Sequence, residues 1–69
     1  MANNRLVALR AGLKQTQAEV AQALGVSKST YAMYELGKRF PRRHIQARIA
    51  NYFGRTVDYI FFVSENHET

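Results

Sequence analysis

Lys28, Ser29, Ala32 and Met33 stand at i, i+1, i+4 and i+5, a spacing that lines them along one side of a helix. Their shared chemistry is recognition: an ammonium donor, a hydroxyl that donates or accepts, a methyl and an adaptable thioether. Shortly after comes KRFPRRH, in which Lys38, Arg39, Arg42, Arg43 and the titratable His44 concentrate positive charge suited to a polyanion. Catalysis has no comparable foothold, since no nucleophile has an adjacent base, no carboxylates cluster and no glycine-rich phosphate loop occurs. His44 and His67 lie far apart, with no cysteine and no carboxylate at ligand spacing, so neither a metal nor another cofactor is expected.

Ten Lys and Arg oppose five Asp and Glu for a net charge of +5, and Glu65 and Glu68 fall near the C-terminal end, leaving the remainder more basic still. Such a surface favours nucleic acid or an anionic membrane. The membrane reading needs a helix with cations on one face and bulky apolar residues on the other, which no segment offers. The start, MANNRLVALRAGL, lacks the apolar run of a signal peptide or a membrane span. The absence of cysteine fits a reducing compartment. The expectation is a soluble cytoplasmic protein with one domain over residues 1–63 and a polar tail over 64–69. At 69 residues the core has to be efficient, burying only ~60% of the unfolded surface.

The elements that must position the stripe can be read from caps and breaks. Thr16 is an N-cap with Glu19 three residues on, Val20, Ala21 and Leu24 share a face, and Gly25 ends the helix. Ser27 caps a second helix whose inner side is Tyr31, Tyr34 and Glu35 and which Gly37 closes. Ala21 is small where the helices must cross closely, and Val26 packs inside the corner. This is a helix-turn-helix that displays the stripe. Tyr31 and Tyr34 point inward at i, i+3 and read as core, not as stacking platforms.

A first helix capped by Asn3 or Asn4 carries Leu6, Leu9, Arg10 and Leu13 on one face. Pro41 is placed to enter the first turn of a fourth helix, about Arg42 to Phe53, with Ile45, Ile49, Ala50 and Phe53 as its stripe and Gly54 at its end. Thr56 caps a fifth, Val57 to about Phe62. It bears two apolar stripes: Val57, Ile60 and Phe61, then Tyr59, Phe62 and Val63. The second has no partner in so small a chain and is expected to form a symmetric dimer interface. A short terminal strand over Tyr59 to Val63, pairing across the dimer, is the alternative there. The fold class expected is all-α.

From Leu6 to Phe61 the chain resembles the phage-repressor and Cro-like helix-turn-helix family of XRE type. The resemblance rests on Leu6, Leu9 and Arg10; Thr16-Gln17 with Val20-Ala21; Leu24-Gly25-Val26-Ser27 with Ser29-Thr30; Tyr34-Glu35 with Gly37-Lys38-Arg39; and Ile49-Ala50 through Phe53-Gly54. Arg43 and Gln46 depart from it, standing where many members place apolar residues. The resemblance implies a compact five-helix bundle of the lambda-repressor-like DNA-binding type. It implies an ion pair between Arg10 and Glu35, the competing reading being an exposed arginine with a snorkelling stem. It also implies that Gln17 holds a phosphate and braces the recognition helix, against the plainer reading that it solvates its helix end.

In such a fold the second helix of the motif enters the major groove, where base edges differ in donors and acceptors. Lys28 can then donate to guanine, Ser29 can take either role, and Ala32 and Met33 can pack on thymine methyls or adapt to the groove. Gln17, Ser27 and Thr30, with Lys38, Arg39, Arg42 and Arg43, are the candidates for phosphate. For all of these a merely solvated surface is the rival reading. The function expected is a sequence-specific double-stranded DNA-binding transcriptional regulator, a repressor of phage, prophage or mobile-element type, acting as a homodimer on a two-half-site operator. The alternative is a protein-interaction module, an antitoxin or antirepressor partner, working through the C-terminal aromatic surface. A regulatory protein partner is compatible with either; a small-molecule ligand and a membrane are not expected.

Overall fold

Four of the helices begin where a side-chain oxygen meets an amide that the helix itself cannot satisfy. The computed structural model describes residues 2–62, and in it the Asn3 Oδ1 accepts the Leu6 amide at 2.9 Å to open α1, Asn4–Gly12. Thr16 opens α2, Gln17–Leu24, through a reciprocal pair: its hydroxyl accepts the Glu19 amide at 3.1 Å and its own amide donates to Glu19 Oε1 at 2.8 Å. The Ser27 hydroxyl accepts the Thr30 amide at 3.1 Å at the start of α3, Lys28–Leu36. Each cap contributes about 1 kcal/mol. The helix α4 spans Arg43–Phe53, and α5, Asp58–Phe62, is wound as a π-helix and opens where the Thr56 hydroxyl accepts the Tyr59 amide at 3.0 Å. No strand occurs among the described residues, so the terminal-strand alternative fails for Tyr59 to Phe62; Val63 and the tail lie outside them.

The corner between α2 and α3 needs its glycine. Gly25 has φ +77°, and a Cβ there would lie 3.4 Å from the Arg48 guanidinium, whose Nη1 donates to the Leu24 carbonyl at 3.1 Å. Arg48 thereby ties α4 to the end of α2. Around the corner, Val20, Ala21, Leu24, Tyr31 and Tyr34 join Leu6, Ile45, Ile49 and Ile60 in one buried core, with Val26 packed against it.

Two expectations need correction. Leu13 is not on the inner face of α1: the helix stops at Gly12, Leu13 becomes its C-cap, and Lys14 turns the chain away with φ +57°. Leu13 is consequently 49% exposed. Pro41 does not enter the first turn of α4 either. It precedes the N-cap, Arg42, and is buried, so it anchors the loop instead of starting the helix.

The chain closes on itself at α5. The Asn3 side-chain amide donates to the Ile60 carbonyl at 3.0 Å, and Arg5 Nη1 donates to the Tyr59 carbonyl at 2.8 Å. Ile60 is buried and Phe61 half-buried, while Tyr59 and Phe62 are exposed. The wide π turn separates those two rings. The Arg5 and Arg55 guanidinium carbons lie 4.5 and 5.9 Å from the centre of the Tyr59 ring, whereas Phe62 stands edge-to-face with Phe40 at 5.7 Å. No helix among the described residues is long and apolar enough to cross a membrane.

Candidate nucleic-acid interface

The helix α3 is held from inside by one carboxylate. Glu35, 4% exposed, accepts from Arg10 Nε on Oε2 at 2.7 Å and from Arg10 Nη2 on Oε1 at 3.2 Å. Gln17 Nε2 donates to Oε1 at 2.9 Å, and Arg10 Nη1 donates to the Gln15 carbonyl at 2.9 Å. The guanidinium fork thus joins α1, the loop before α2 and α3 through fixed geometry, and Gln17 adds α2 through the same carboxylate. Burial works to raise the Glu35 carboxyl, but the hydrogen bonds from Arg10 and Gln17 outweigh it and hold the group below its ordinary value. The hydrogen bond to Glu35 raises Arg10 in turn. Burial pushes the neighbouring Tyr31 phenol well up; its hydroxyl is buried without a hydrogen-bond partner of good geometry among the described residues.

The opposite side of α3 faces out. Lys28, Ser29 and Met33 are exposed and Ala32 is half-buried. At its N-terminus the hydroxyls of Ser27 and Thr30 are 2.9 Å apart and those of Ser27 and Ser29 3.3 Å, so three of the expected contact residues share one cluster. Gln17 stands apart from them, its amide turned inward to Glu35.

Lys38, Arg39, Arg42 and Arg43 are all exposed, on the loop after Gly37 and the first turn of α4. Unlike α1, α2 and α3, α4 begins without a side-chain cap at its N-cap residue, Arg42. The Ile45 amide already donates to the Arg42 carbonyl at 2.9 Å, which leaves the amides of Arg43 and His44 for water or an external acceptor. Lys38 is tethered through its amide to the Met33 carbonyl at 3.0 Å, and Gln46 Nε2 donates to the Pro41 carbonyl at 2.8 Å.

Sequence reasoning missed Phe40, which is 56% exposed inside the charged loop and meets Phe61 and Phe62 edge-to-face. Leu36 and Phe62 are exposed as well. The signal was present, an aromatic residue among arginines, but charge dominated the reading. The bonds made by Arg48 and between the Tyr52 hydroxyl and Gln15 had no signal in spacing, because they join separate elements, and the bond from Gln46 runs back five positions into the loop before its helix. Among the described residues no group of three or more His, Cys, Asp or Glu side chains is placed to hold a metal.

Two short helices meeting at a glycine corner, with α1 and α4 packed around them and one stripe left outward, define a helix-turn-helix bundle. Residues 3–62 match a family model described as a helix-turn-helix domain. The chain is 35% identical over 63 residues to an uncharacterised HTH-type transcriptional regulator of Methanocaldococcus jannaschii, covering 91% of this chain and 96% of that protein. It belongs to the XRE-like helix-turn-helix family, a family of DNA-binding transcription regulators. No solved structure matches it.

Proposed function

We propose that the protein is a sequence-specific regulator of transcription that lays α3 in the major groove and grips phosphates on both sides. The observation carrying this reading is the outward stripe of Lys28, Ser29, Ala32 and Met33 on a helix whose inner face is locked by Glu35, with four exposed cations just beyond it. A rigidly held helix can read base edges because its side chains need little reordering on contact. Ser27, Thr30 and the backbone amide of Gln17, whose side chain is committed to Glu35, serve phosphates at one rail of the groove. Lys38, Arg39, Arg42, Arg43 and the open amides of α4 serve the other.

The finer reading is a repressor of phage, prophage or mobile-element type, acting by occlusion as a dimer on half-sites about one helical turn apart. The exposed pair Phe40 and Phe62 supports a dimer, and Leu36 is exposed as well; Val63, the third residue of the expected interface, lies outside the described residues, and Tyr59 supports the dimer less, being engaged by Arg5 and Arg55. Selection of bound sequences from a random duplex pool tests the function. A consensus with two related half-sites, bound with a steep salt dependence, is expected; no enrichment over the starting pool would sink it. Replacing Phe62 with Glu is expected to halve the mass in solution by light scattering while leaving the helical spectrum intact.

The same apolar group favours one second reading, a module that binds another protein. A stoichiometric partner recovered from nuclease-treated extract, together with failure of the duplex selection, is the outcome that would replace the first reading with this one.

A further inference from the structure

We propose that Gln46 is a positioning residue for DNA binding, holding the cationic segment from Lys38 to Arg43 in its binding shape without itself touching a phosphate. This rests on the groove-binding reading above. Gln46 is half-buried in the first turns of α4. Its side chain reaches back to donate to the Pro41 carbonyl at 2.8 Å, while its backbone amide donates to the Arg42 carbonyl at 2.9 Å. Pro41 is buried, so the peptide entering α4 is fixed by ring burial on one side and by Gln46 on the other. At the far end of the segment the Lys38 amide is bound to the Met33 carbonyl at 3.0 Å.

Such bracing has a purpose in this segment. Lys38, Arg39, Arg42 and Arg43 repel one another, and without a tether the loop spreads to relieve that repulsion. A spread loop must be gathered each time it meets a phosphate rail, and that ordering lowers affinity without altering which bases are read. The Pro41 carbonyl lies just before Arg42, an N-cap without a side-chain bond, so Gln46 also sets the direction in which the Arg43 and His44 amides point.

The test replaces Gln46 with Met, which keeps length and loses the donor. Three readouts are compared with the parent chain: affinity for a selected duplex and for a random duplex across a salt series, backbone relaxation of residues 38–43 by nuclear magnetic resonance, and the melting temperature. The expected result is about 3- to 10-fold weaker binding to both duplexes with their ratio unchanged, and larger loop motion, at a nearly unchanged melting temperature. In an Arg42→Ala background the loss from Gln46→Met should shrink, because the two changes act on one contact. Unchanged affinity for both duplexes, a loss confined to the selected duplex, or additive losses with Arg42→Ala would each overturn the role. If the parent chain binds no duplex, the proposed function falls, and the relaxation comparison alone decides whether Gln46 holds the segment.

Discussion

On the inner side of α3, Glu35 collects hydrogen bonds from Arg10 and Gln17 and is almost sealed from water. On the outer side, Lys28 and Met33 stand exposed, and Ser29 meets only a neighbouring hydroxyl. The contrast shows how one nine-residue helix separates its held face from its open one: polar groups that fix the helix are satisfied within the fold, and the proposed base-reading groups face outward. Lys28 sharpens the point. It occupies the first position of α3, where the positive end of the helix disfavours a cation and no acidic residue offsets it. A sequence shaped only for stability would not place a lysine there.

Each side of that comparison can be broken separately. Replacing Glu35 with Ala should have the largest effect, destabilising the fold by about 3 to 5 kcal/mol in urea unfolding, because Arg10 is left partly buried without its counter-charge. A loss under 1 kcal/mol would mean that the inner face is not what holds α3. The milder Glu35→Gln variant tests the same side by pH. The carboxyl is held below its ordinary value of 4.5, so its stabilisation is fully present above that value and is lost as pH falls through the lowered one. The parent should therefore lose stability over that acid window more steeply than the Gln variant.

Next in size, Lys28→Ala is expected to cost about 1 to 3 kcal/mol of binding to a selected duplex and to relax preference at one base position. The same change should raise stability by a few tenths of a kcal/mol, since it removes a cation from a helix start and inserts the best helix former. Opposite signs for binding and stability would support the division of roles, and matching signs would dissolve it. Arg42→Ser should behave similarly at α4. It supplies the missing cap, with a gain of up to about 1 kcal/mol in thermal unfolding, while affinity for all duplexes falls and the salt slope drops by about one. The smallest effect belongs to Tyr31→Phe, expected within about 1 kcal/mol of the parent, because the deleted hydroxyl is buried without a well-formed hydrogen bond.

Where the chain announces its helix ends, the sequence was legible. Asn3, Thr16 and Ser27 are short polar side chains that complete a first turn, and Gly25, Gly37 and Gly54 take left-handed backbone at the exits, so boundaries followed from local chemistry. The core face of α3 was legible for the same reason, from spacing within one helix. Leu13 was misplaced because the helix ended one residue before it and a lysine took the left-handed turn, a choice that propensity does not favour. The rings of Tyr59 and Phe62 were grouped by ordinary helical spacing, and the π winding parted them. Arg48 was invisible as a tether because it reaches a carbonyl of α2, and periodicity along one helix carries no information about what lies opposite, while the Gln46 bond runs back to the loop just before its own helix, where helical spacing no longer applies. The outward stripe was named from spacing and is exposed, Ala32 only partly; its role in binding awaits the variants above.

The bond from the Asn3 side chain to the Ile60 carbonyl spans 57 positions, while Asn3 also donates its amide to the Glu35 carbonyl at 2.8 Å. One asparagine therefore buttons the start of α1, the end of α3 and α5 together. These parts should open as a single cooperative unit, so amides of α1 and α5 are expected to exchange with deuterium at one shared opening free energy. An Asn3→Ala chain would shed α5 first, with the remainder still closed.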